Sequence, residues 1–236
     1  MFGYYGYYYD YTYFIFMLPA LIVSLWAQIK VKSTFNKFSR VSNSRGLTGA
    51  QAAYRVLADN GITDVRIERI SGSLNDHYDP KTNVIRLSES VYDSTSVSAV
   101  GVAAHEAGHA VQEAESYAPM KLRAMLVPVT QIGSSLSMPL IIIGILVPTY
   151  YTFFVQLGIL FFSLAVLFQL VTLPVEFNAS SRAIKALESG NLLYDQELDG
   201  AKKVLKAAAM TYLAASLTAI LSLIRLILVY GGRRED

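Results

Sequence analysis

The sequence predicts an α+β membrane protein in which four transmembrane helices carry a small polar unit. Three observations lead there. Hydrophobic residues make up 53% of the 236 residues and charged residues only 16%, against about 25% charged in soluble domains. Four stretches are long and apolar enough to cross a bilayer, for which about 20 residues suffice. Between the first and second of these lies a polar segment with both helical and strand-like patterns.

The spans are expected at residues 11–31, 127–147, 153–175 and 207–230. They divide the chain into a tail and first span (1–31), a polar α+β unit (32–126), the second and third spans (127–175), a polar helical connection (176–206), and the fourth span with its tail (207–236). The opening run Met1-Phe2-Gly3-Tyr4-Tyr5 has no basic n-region, so it reads as an interfacial aromatic belt rather than a cleavable signal. Lys30, Lys32, Lys37, Arg40 and Arg45 crowd after the first span. Arg182, Lys185, Lys202, Lys203 and Lys206 fill the connection before the fourth, whereas only Arg233 and Arg234 follow it. The positive-inside rule then puts both termini outside and both long polar segments in the cytoplasm of a multi-pass cell-membrane protein.

Within 32–126, Thr48 is a cap for a helix over 50–59, which Asn60-Gly61 ends. Residues 65–70 alternate as a strand, 71–80 are turn-rich, and 83–87 form a second strand. The latter is either an edge that pairs with an extended substrate or plain core. Asp93 and Ser94 offer a cap for a helix over 95–114.

Some chemistries are excluded early. A net charge of +2 gives no nucleic-acid surface. With no cysteine there is no disulfide, thiol nucleophile or thiolate metal site, so any metal rests on nitrogen and oxygen. The three histidines are His77, His105 and His109.

His105 and His109 stand four apart in His105-Glu106-Ala107-Gly108-His109. On a helix that spacing puts both rings on one face, where they can share a zinc ion. Glu106 then reaches toward a water activated by the metal and serves as general base in hydrolysis. Catalytic zinc needs a third protein ligand and an open position. Glu113 lies too far along the axis from His105. Glu176, at the end of the third span, is the better candidate, because a carboxylate there is costly unless paired or ligating. His77 remains the alternative.

Three stretches together resemble the YugP-type bacterial membrane zinc metallopeptidases. They are Val102-Ala103-Ala104-His105-Glu106-Ala107-Gly108-His109-Ala110-Val111-Gln112, Asp76-His77-Tyr78-Asp79-Pro80, and Val175-Glu176-Phe177-Asn178-Ala179-Ser180-Ser181-Arg182-Ala183. The resemblance covers nearly the whole chain. More distantly the sequence is similar to HtpX-type and prenyl-protein peptidases, whose third ligand is the glutamate of Glu-x-x-Ala-Asp. Glu176 and Ala179 fit that pattern, and Ser180 replaces its aspartate.

The expectation is therefore a zincin-like cytoplasmic unit that hydrolyses peptide bonds, with Zn2+ on His105, His109 and Glu176, and Glu106 as base. His77 and Tyr78 are candidates for stabilising the oxyanion. Partners are the lipid bilayer and a membrane or membrane-associated protein or peptide substrate, with no nucleic acid. Two rivals stay open: an intramembrane-cleaving peptidase, and a non-catalytic scaffold whose zinc is closed by His77. Arg225, inside the fourth span, is expected to face protein or snorkel.

Overall fold

The computed structural model describes residues 11–231. The aromatic run at 1–5 and the basic pair Arg233 and Arg234 lie outside them. The described chain is mostly helical with one three-stranded sheet. A π-helical turn, Tyr13–Met17, leads into α1 (Leu18–Phe38); α2 (Gly49–Asp59), β1 (Arg66–Ile70), β2 (His77–Asp79) and β3 (Val84–Ser88) follow. Then come α3 (Glu89–Tyr92), α4 (Val97–Ala114), α5 (Ala118–Leu146), α6 (Tyr151–Ser189) and α7 (Asp195–Tyr230).

Four helices, Tyr13–Phe38, Ala118–Leu146, Pro148–Ser189 and Asp195–Tyr230, are long and apolar enough to cross a membrane. They run well past the spans expected from hydropathy. The third does not stop near 175: α6 continues through Glu176 to Ser189, with Pro174 inside it. Once a helix is nucleated, each further residue adds a hydrogen bond, so helix end and apolar end need not coincide.

The chain falls into two compact units. One draws on the described residues of Met1–Trp26, Pro128–Gln169 and Ala214–Asp236. Small and polar side chains join its helices: Gly158 would put a Cβ 2.8 Å from the Ser137 carbonyl, and Ser137 Oγ donates to the Gly158 carbonyl at 2.8 Å. The Arg225 guanidinium lies 5.2 Å from the Tyr13 ring centroid, so it faces protein.

The other unit is Ala27–Val127 with Leu170–Leu213. Its core centres on α4, where fourteen of eighteen residues are buried. Ala103, Ala104, Ala107 and Ala110 make that helix narrow enough for close neighbours. Val56 and Leu57 of α2, Ile85 and Leu87 of β3, and Leu187 of α6 pack into the same core. Each such aliphatic side chain contributes roughly 1.5–3 kcal/mol when fully buried.

Local signals explain the ends. Thr48 and Gln51 form a reciprocal capping box at the start of α2. The cap of α4 is Ser96, whose side chain accepts from the Ala99 N–H, rather than Asp93 or Ser94. Asp93 instead ends the short helix α3.

The sheet order is β1-β3-β2. β3 pairs parallel with β1 and antiparallel with β2. Of the two readings of 83–87, core is the one that holds: β3 is central, with Val84, Ile85 and Leu87 fully buried. The edge on the β2 side comes from the turn-rich stretch, where only three residues are extended, too few for periodicity to reveal.

Candidate metal centre

His105 and His109 project from one face of α4, their ring centroids 4.7 Å apart. Glu176 comes from α6, and the two helices meet closely because position 108 is glycine. A Cβ there would lie 2.7 Å from the Ala179 carbonyl oxygen, so any larger residue would push α6 and its carboxylate away.

Glu176 Oε2 is 3.3 Å from His105 Nε2 and 3.6 Å from His109 Nε2. One ligand atom from each of the three residues lies within 4.8 Å of the others, and no other such group occurs among the described residues. Donor atoms around a tetrahedral zinc with bonds of about 2.0–2.1 Å lie roughly 3.3–3.4 Å apart, so the spacing fits. The donor set, two imidazoles and a carboxylate, suits zinc as well. Electrostatics agree. Burial alone would push the His109 pKa down, but the hydrogen bond to Glu176 and the charges of Glu106 and Glu176 outweigh it and raise it. The pocket therefore favours a cation.

The imidazoles are oriented from behind, which leaves the Nε2 atoms for a metal. Gln112 is fully buried and donates its amide N–H groups to the Val175 carbonyl at 2.8 Å and to Asn178 Oδ1 at 2.9 Å. A carbonyl only accepts, so the nitrogen of Gln112 must face it and the oxygen must face His109 Nδ1, 3.0 Å away. That nitrogen then carries a proton, which leaves Nε2 as the atom that faces Glu176 and would meet a metal. Ser180 Oγ lies 3.2 Å from His105 Nδ1, where a hydroxyl holds the ring in place as donor or acceptor. At the position where the related pattern has an aspartate, a hydroxyl orients the ring.

Glu106 is buried beside the ligands, and its Oε2 accepts from the Tyr78 backbone N–H at 3.0 Å. That contact ties β2 to α4. Asp76, just before β2, anchors the strand by accepting from the Ser88 N–H and hydroxyl. Burial raises the Asp76 pKa, Ser88 opposes the rise, and the Glu106 charge adds to it.

The candidate oxyanion groups are placed differently from the ligands. The Tyr78 phenol turns away and donates to Asn83 Oδ1 at 2.8 Å, so what Tyr78 brings to the site is its backbone. His77 is exposed, with Nδ1 2.9 Å from the Asn75 carbonyl oxygen, and is not among the clustered ligands. Glu115 pairs with Arg182 at 2.7 Å. Sequence reasoning assigned no role to Gln112, Arg123 or Tyr212. Arg123 Nη1 lies 3.2 Å from Glu176 Oε1, and the Tyr212 hydroxyl also meets Glu176. Gln112, three residues past His109 on the same helical face, was the most discoverable of these.

Residues 13–231 match the family described as "Putative neutral zinc metallopeptidase". The chain is 47% identical over 224 residues to "Putative membrane protease YugP" of Bacillus subtilis (strain 168), covering 94% of this chain and 99% of that protein. No solved structure matches it.

Proposed function

Because the chain belongs to this zinc metallopeptidase family, we propose that it hydrolyses peptide bonds in membrane or membrane-associated protein substrates, with zinc held by His105, His109 and Glu176. The observation that carries the reading is the clustering of those three donors beside a carboxylate that does not join them. Zinc, when bound, supplies the Lewis acid that acidifies a water and polarises the scissile carbonyl.

Glu106 is the base. Its Oε2 is engaged by the Tyr78 N–H, so Oε1 is free to take the proton from the attacking water and pass it to the leaving amine. Gln112 holds the His109 proton on Nδ1, and Ser180 contacts His105 Nδ1. The N–H and C=O of one strand residue point to the same side. The Tyr78 carbonyl therefore faces away from β3 with its N–H, toward the site. An extended substrate lying along this edge of β2 can donate a main-chain N–H to the Tyr78 carbonyl, the Tyr78 N–H being held by Glu106, and so presents its backbone to that carboxylate. A scaffold with a closed structural zinc needs a fourth protein ligand, and His77 stands outside the cluster, which favours the open, catalytic reading.

Glu106→Gln should keep zinc and lose about 10²–10⁴-fold in hydrolysis. Purified variant and wild type are compared on a substrate found by proteomics of cells carrying each; wild-type turnover by the variant would refute the mechanism. The basic residues after the first and third spans support a cytoplasmic zincin-like unit. Cysteines placed at Ser42 and Asn191 should resist an impermeant thiol reagent in intact cells, while one at Thr149 should react. Labelling at Ser42 would invert the topology.

A further inference from the structure

Glu176 uses its two oxygens differently. Oε2 faces both histidine Nε2 atoms, at 3.3 and 3.6 Å, whereas Oε1 lies 3.2 Å from Nη1 of Arg123 on α5. A carboxylate can hold a cation through one oxygen or through both. A guanidinium N–H on Oε1 is a charge-assisted hydrogen bond, among the stronger kinds, and it engages the oxygen that a second bond to the metal would need.

Charge compensation does not explain the arginine once metal is bound. The Glu176 side chain is only 3% exposed and needs a counter-charge, but a divalent ion between the histidines supplies that. A second cation beside it lowers affinity by Coulomb repulsion. Arg182, another guanidinium of this unit, is committed to Asn178 Oδ1 and Glu115 and does not duplicate the contact. The value of Arg123 therefore lies in geometry.

We propose that Arg123 is a positioning residue that confines Glu176 to one ligating oxygen and so keeps a position on the metal open for water. This rests on the ligand assignment above. Without Arg123 the carboxylate swings to ligate through both oxygens, and the open position is lost.

Cobalt(II) in place of zinc tests this in the full chain in detergent, because visible absorption falls several-fold when a four-coordinate site becomes five-coordinate. Wild type is expected to give the intense four-coordinate spectrum. Arg123→Met should give the weaker one, bind cobalt as tightly as wild type or tighter, and lose at least tenfold in kcat with little change in KM. Arg123→Gln, which keeps polarity and removes charge, should shift the same way and serves if the Met variant does not fold. Arg123→Lys should recover part of the wild-type spectrum. A folded, cobalt-loaded Arg123→Met or Arg123→Gln protein with the wild-type spectrum overturns the proposal, as does weakened cobalt binding, which marks ordinary structural damage. Wild type that takes up no cobalt or zinc defeats the ligand assignment itself.

Discussion

In the helices of 128–169, Ile132, Leu146 and Phe153 are 60%, 73% and 63% exposed, whereas in the unit around α4 Ile85, Leu87 and Val100 are 0% exposed. Both regions use the same aliphatic residues, so the difference lies in the solvent each surface meets. Apolar surface on this scale, on helices long enough to cross a membrane, suits lipid. Around α4 apolar groups go inward, and each polar group taken inward needs a partner. Glu106, His109, Gln112 and Glu176 are buried there, and each has one. A helix in the first region is placed by its average composition, but a side chain in the second acts through specific neighbours.

Changes at the centre sharpen that contrast most. Glu176→Ala removes one of the three proposed ligands and should abolish stable zinc binding, while His77→Ala should keep zinc and mainly slow turnover. Gln112→Ala leaves all ligands in place yet should weaken zinc about 10–100-fold, the usual cost of losing a ligand's orienting partner. Zinc stoichiometry and chelator competition on folded protein read all three. Full occupancy in Glu176→Ala with loss in His77→Ala would transfer the ligand role to His77.

The solvents themselves are separated by one substitution made twice. Ile132 and Tyr54 are similarly exposed, at 60% and 66%. Aspartate at 132 should cost about 2.5–3.5 kcal/mol of membrane insertion, read as the inserted fraction in a translocation assay. At Tyr54 it should change stability by no more than about 0.5 kcal/mol, read as a thermal midpoint. Equal tolerance at both sites would break the comparison.

The smallest effect is electrostatic. Asp79 accepts from Thr82 and pairs with Arg86 at 3.0 Å, which lowers its pKa to about 2 from an ordinary value of 3.8. A depressed carboxylate pKa stabilises the fold above the unfolded value, and that contribution is lost as pH falls through the folded one. Asp79→Asn should therefore melt below wild type at neutral pH. The gap should close between about pH 4 and pH 2. A gap that persisted to pH 2 would assign the effect to packing instead.

Legibility followed the range of the cause. The capping box of Thr48 and Gln51 spans four residues and was visible as a cap. The extended conformation of His77–Asp79 depends on β3 and on the Tyr78 contact with Glu106, 28 residues away, so it read as turn. Glu176 stood out because a carboxylate at the end of an apolar run needs a reason. Gln112 and Arg123 did not, because a glutamine in a helix and an arginine near a span have many ordinary uses.

By itself the sequence determined the four apolar stretches and the His105–Glu106–His109 pattern. Hydropathy is a local sum, and the spacing of side chains on a helix follows from its 3.6-residue turn. Only the tertiary structure decided which strand is the edge, which oxygen of Glu176 faces the histidines, and that Ser180 and Gln112 stand behind them. The edge follows from pairing between strands far apart in sequence, and the site contacts from how closely α4 and α6 approach at Gly108 and Ala179, 71 residues apart; no local pattern records either.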